Sequence, residues 1–271
     1  MFTKLLKHEW RATRGMLGTL CLICLGASLL GGGTMRYLVW ASTAQDMQHN
    51  AIIVLNVLAM VAAMIAVAVV GVAALFVYIG RFYKSRFTDE GYLTFTLPVS
   101  THQNLLASMA NTAIGMVIMF FVICAALMLW LVIGFSGIPD FYKTVWEKFP
   151  ELWEVFQRVW STIPWTFFWM FLLNSLTGSV CELVVLMLSV TIGSILAKKH
   201  KILAAVGVYY GIHVALSMVT SFTMAMGVFS GADEKVWMLR YFSGMALLMA
   251  AVSVAGYFLM YALVDRKLNL N

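Results

Sequence analysis

The chain has 271 residues, of which 62% are apolar and 11% charged, with a mean hydropathy of +0.89. A soluble domain carries about a quarter charged residues; here the apolar residues run on for twenty or more without a break, which excludes the soluble class and points to helices surrounded by lipid, each needing about 20 residues to cross about 30 Å. The formal charge of +6 does not point to nucleic acid, because no basic stripe with interleaved aromatics lies outside the apolar runs.

Residues 1–15, MFTKLLKHEWRATRG, set Phe2, Leu5, Leu6 and Trp10 near helical spacing, with Lys4, Lys7, Arg11 and Arg14 mostly elsewhere. That pattern predicts an amphipathic helix lying on the membrane surface and leading into the first span. A basic start before an apolar core is also the outline of a signal peptide. No clean A-x-A site follows and further apolar runs do, so an uncleaved first span is expected. The remainder, 16–271, reads as one transmembrane domain with spans at 16–38, 51–79, 105–135, 165–197, 202–229 and 241–264. Backbone in lipid must satisfy its own hydrogen bonds, and no short alternating strands of a barrel are visible, so an all-α integral membrane protein of six helices is predicted. Gly31–Gly33 should loosen the end of the first span. Cys21 and Cys24 form a C-x-x-C, yet no His or further Cys completes a metal or redox site nearby, and small-residue packing is the better reading.

Between the second and third spans lies 81–104, RFYKSRFTDEGYLTFTLPVSTHQN. It is several times longer than a plain reconnection needs. Three cations (Arg81, Lys84, Arg86), two acids (Asp89, Glu90), Gly91 and Pro98 predict a polar loop made of a short amphipathic helix and then an extended segment. The next large interruption, 137–164, repeats Tyr142, Trp146, Phe149, Trp153, Phe156 and Trp160 at intervals of three and four, with Glu147, Glu151 and Glu154 off that stripe. Pro150 suits the start of a second helix within it. An aromatic belt in the outer headgroup layer accounts for this stripe; an outer gate touching an amphipathic substrate is the rival reading.

Within the fourth span lies Glu182, and within the fifth His213. Ionisable groups at bilayer depth are costly and are functional candidates that face the protein interior. The two spans are antiparallel neighbours joined through KKHK, so the pair can approach; a neutral carboxyl hydrogen-bonded to a helix is the plainer alternative. Gly207 and Gly211 form a G-x-x-x-G that would permit close helix packing, a motif frequent by chance in apolar helices. Loops decide sidedness. Twelve cations fall with the two termini, the 81–104 loop and 198–201, against six on the other side, so the positive-inside rule places both termini and that loop in the cytoplasm. No G-x-x-x-x-G-K-[ST], H-E-x-x-H or G-x-S-x-G occurs, and catalysis by this chain is not expected.

The run FYKSRFTDEGYLTFTLPVS (82–100), continued by THQNLLAS, resembles the permease subunits of ABC-2 type transporters, in particular a small six-span bacterial group. The opening FTKLLKHEWRATR, the stretch LAKKHKILAAVGVYYGI (196–212) and the closing DRKLNLN are weaker parts of the same likeness, and the motif match is specific over about 25 residues of the loop. The resemblance implies a multi-pass protein of the bacterial inner membrane. It implies that residues 82–91 are a coupling helix, with Phe82, Tyr83, Phe87, Asp89 and Glu90 docking on a separate cytosolic ATPase that holds ATP and Mg. It further implies a second permease subunit, the same chain or a sister. The chain itself would hold no cofactor and would export a hydrophobic or amphipathic compound or an antimicrobial peptide. An ion-coupled secondary transporter using Glu182 and His213 is the alternative, as is a membrane anchor that moves nothing.

Overall fold

The computed structural model describes residues 2–43, 50–88, 90–91, 99–197, 199–229 and 233–267. The elements are α1 (Phe2–Thr43), α2 (Asn50–Phe87), α3 (Thr101–Phe135), α4 (Phe141–Glu147), α5 (Phe149–Thr162), α6 (Trp165–Leu196), α7 (Lys201–Phe229) and α8 (Glu234–Lys267), and no strand occurs among the described residues. Six of them, α1, α2, α3, α6, α7 and α8, are long and apolar enough to cross a membrane. Proline punctuates the chain as its missing N–H requires: Pro139 precedes α4, Pro150 sits in the first turn of α5, and Pro164 caps α6.

Two of the long helices extend beyond the apolar runs they contain. The basic segment leads into the first span without a break, as one helix α1, and Glu9 and Thr13 within it are buried. The second span does not end at residue 79, because α2 continues to Phe87 and takes in the first half of the expected coupling helix.

The helices divide into two compact units. One combines 7–78 with 111–160. Its core joins Leu17, Cys24, Ala63, Val70, Tyr78, Met119, Ala126 and Trp130, so Cys24 acts there as a small packed side chain. Glycine is what lets these helices approach. A β-carbon on Gly31 would overlap the Trp130 indole, and one on Gly115 would overlap the Tyr78 ring and hydroxyl. Gly31–Gly33 therefore does not loosen α1; the helix continues through it because packing against Trp130 outweighs the low helix propensity of glycine. Asn111 Nδ2 donates to Thr13 Oγ1 at 3.3 Å inside this unit. The aromatic stripe is a ladder: Trp146, Phe149, Trp153, Phe156 and Trp160 stack in succession with centroids 5.3–6.3 Å apart, on two helices that bury no residue.

The other unit combines 1–6, 79–110 and 161–271. In it α6 packs against both α7 and α8, which touch each other little. Phe82, Leu105, Met187, Leu188, Met260 and Val264 form its core, tying the last turns of α2 and the first turns of α3 to α6 and α8. α6 and α7 approach closely at Gly193, where a β-carbon would run into the backbone of Ala205 on α7.

Candidate functional site

Two arrangements in this second unit carry polar chemistry, and the first is the end of α2. Arg86 is only 2% exposed. Its guanidinium donates to the Asn104 carbonyl at 2.8 Å, Asn104 Oδ1 at 3.1 Å, Ser108 Oγ at 2.8 Å and Ser85 Oγ at 3.0 Å, and it lies 4.6 Å from the centre of the Phe82 ring. The cation read from sequence as part of a polar loop is instead a buried rivet between the two ends of that loop. On a different face of α2, Lys84 and Arg81 pair with Glu90 at 2.9 and 3.2 Å. The Lys84 ammonium bonded to Glu90, with Arg81 beside it, holds that carboxyl below the usual carboxylate range. Gly91 follows, its N–H donating to the Thr88 carbonyl at 2.8 Å, and a β-carbon there would come within 2.5 Å of the Arg86 carbonyl oxygen.

The residues expected to grip a partner are thus distributed unequally. Phe82 is buried in the core and offers no surface. Tyr83 and Phe87, stacked with centroids 6.0 Å apart, are partly exposed, as is Glu90. Asp89 lies outside the described residues, as does the stretch 92–98. At the far end of the loop, Thr101 Oγ1 donates to Asp265 at 3.2 Å, and the His102 ring sits edge-on to Tyr257 and Tyr261 with its Nδ1 hydrogen-bonded to the Tyr257 hydroxyl at 2.7 Å. The sequence reading passed over these contacts, although Tyr257, Tyr261 and Asp265 fall on one helix face at intervals of four.

The second arrangement lies midway along α6 and α7. Glu182 accepts a hydrogen bond from the Tyr209 hydroxyl at 2.5 Å through Oε1, and His213 Nε2 stands 3.2 Å from its Oε2. That second approach has ion-pair distance without hydrogen-bond alignment. Tyr209 and His213 are one helical turn apart, their ring centroids 4.4 Å from each other. Sequence reasoning missed Tyr209; the signal was Tyr209, His213 and Ser217 recurring every fourth residue on one face of α7. Glu182 borders a cleft of about 360 Å³ that α7 and α8 leave open over α6. Gly207 and Gly211 take no part in this packing, since both are exposed and a β-carbon at either meets nothing within 4 Å.

Six helices long and apolar enough to cross a membrane make this a multi-pass helical membrane protein. Compared with known proteins, the chain matches no family model, no curated protein and no solved structure.

Proposed function

We propose that the chain is the membrane-spanning permease subunit of an ATP-driven ABC transporter of a bacterial inner membrane, an exporter of hydrophobic or amphipathic compounds. The observation that carries this reading is the bracing of the 81–104 loop. A loop that passes force between a cytosolic ATPase and a membrane domain must be stiff at its roots and must offer a gripping face. Arg86 supplies stiffness by joining α2 to α3, and Tyr83, Phe87 and Glu90 supply a face. The excess of cations on the side of this loop favours its cytoplasmic placement, with both termini. ATP and Mg then belong to the partner ATPase, and a second permease subunit, a copy or a sister chain, completes the assembly.

The test is retention of an ATPase. Pull-down of the wild-type chain from native membranes is expected to bring a P-loop ATPase, and Phe87→Ala or Glu90→Ala to release most of it while the membrane part elutes unchanged. Wild-type membranes that yield no such ATPase, or both variants retaining it in full, overturn the reading. The second reading, a secondary transporter in which Glu182 and His213 relay protons, draws on their 3.2 Å approach; it requires that no ATPase accompany the chain.

A further inference from the structure

The cleft beside Glu182 has a composition that selects one kind of occupant. Glu182, Val185, His213, Leu216 and Met249 border it, together with Ser217. The Glu182 side chain is 44% exposed, and among the described residues its one ion-pair neighbour is His213, with no Lys or Arg at that distance. A carboxylate can accept about four hydrogen bonds; Tyr209 supplies one. The Ser217 hydroxyl donates to the Val214 carbonyl at 2.9 Å, and the Thr220 hydroxyl, also on the border, donates to the Ser217 carbonyl at 2.9 Å. Both therefore spend their protons on their own helix and keep only acceptor lone pairs. The polar part of the lining is one carboxylate, two hydroxyls that present only acceptor lone pairs, and the His213 imidazole; the rest of the wall is soft and apolar.

We propose that this cleft binds a hydrophobic organic cation, an amine or onium ion with apolar substituents, whose charge is met by Glu182. As a statement about the transported substrate, this rests on the transporter reading above; as a statement about binding, it does not. A negative charge at this depth is costly when it faces hydrocarbon, and a cation seated beside it removes that cost while its apolar groups cover Leu216 and Met249. An acyl chain or the helix of a second copy would fill the same walls but would bring no positive charge to the carboxylate, which has only Tyr209 and His213 beside it. The volume of about 360 Å³ lies at the lower end of the range for small-molecule sites, about 300–1,000 Å³. The ligand is accordingly compact, on the scale of a few aromatic rings.

Two probes of one shape and opposite charge test this: tetraphenylphosphonium and tetraphenylborate. The purified chain is placed in phosphatidylcholine nanodiscs without nucleotide or ATPase, so that a failed binding test and a failed ATPase pull-down are separate results. Saturable binding of the phosphonium is expected, weakened about tenfold or more by Glu182→Gln, with no saturable binding of the borate. Met249→Trp, which fills the cleft without altering charge, is expected to weaken the phosphonium as well. A second measurement guards against a variant that does not fold. Dicyclohexylcarbodiimide should modify Glu182 in the wild-type chain, and the phosphonium, but not the borate, should block it. Equal phosphonium binding by wild type and Glu182→Gln, saturable borate binding, or labelling of Glu182 indifferent to the cation overturns the proposal; the borate result would make the cleft a groove for lipid or a partner helix.

Discussion

Arg86 shows how much a single side chain decides at the root of a loop. Its buried guanidinium serves a backbone carbonyl and two side chains of α3, reached across 18 to 22 residues of sequence. Hydrogen bonds from a charged donor contribute roughly 1.5–3 kcal/mol, so Arg86→Met should lower stability by about 2–3 kcal/mol and separate the ends of α2 and α3. Arg86→Lys keeps the charge but loses the planar fork, and should recover only part of that. Thermal unfolding in detergent reads both, and a Met variant as stable as wild type would remove the rivet from the account of coupling. This role was half legible. Arg81 and Lys84 fall on one side of a helical wheel and Arg86 falls beside Phe82 on another, which separates the two cations that meet Glu90 from the one that does not. What no wheel contains is Asn104 and Ser108, because they come from another helix.

Between elements, glycine positions tell more than glycine motifs. Gly207 and Gly211 have the spacing associated with close helix contact, yet open space surrounds both. Gly193 has no second glycine at that spacing and carries the close approach of α6 to α7, against the Ala205 backbone. Gly193→Leu is therefore expected to destabilise the unit by several kcal/mol, since overpacking alone costs about 1–3 and here backbone must move. Gly207→Leu should leave the fold of the single chain intact, and a change in oligomeric size would then place α7 at a subunit interface. Size-exclusion profiles and unfolding curves of the two variants make the comparison; equal damage from both would contradict the packing described. Span number was legible because hydrophobic length is a property of one segment. Helix pairing was not, because a contact is shared between two segments and appears in the spacing of neither.

For the whole molecule, the six apolar helices emerged near their expected positions, and the departures have one cause. α1 and α2 overrun their apolar limits at 15 and 79 because helix propensity does not stop where hydrophobicity does. Lys7, Arg11, Lys84 and Arg86 are good helix formers, and no Gly-Pro break intervenes. The orientation of this bundle is testable without a substrate. With Cys21, Cys24, Cys124 and Cys181, all of them free, replaced by Ala, Lys84→Cys should react with a membrane-impermeant maleimide only after cells are opened. Lys143→Cys should react in intact cells. The reverse pattern would invert the topology and with it the side on which an ATPase can dock.

The fastening of Thr101 and His102 has a mechanical side. Their partners on α8, Tyr257, Tyr261 and Asp265, occupy three successive turns. One pin makes a hinge, but pins spaced along an axis make a bracket, and a bracket transmits torque where a hinge would let it slip. Torque applied to the start of α3 would therefore be passed to α8, which α6 also holds along its length. Met249, at the border of the Glu182 cleft, is eight residues along α8 from Tyr257, about 12 Å away. α6 packs along α8 between the bracket and that border, so a rotation at the bracket would reach the cleft only by carrying α6 with it.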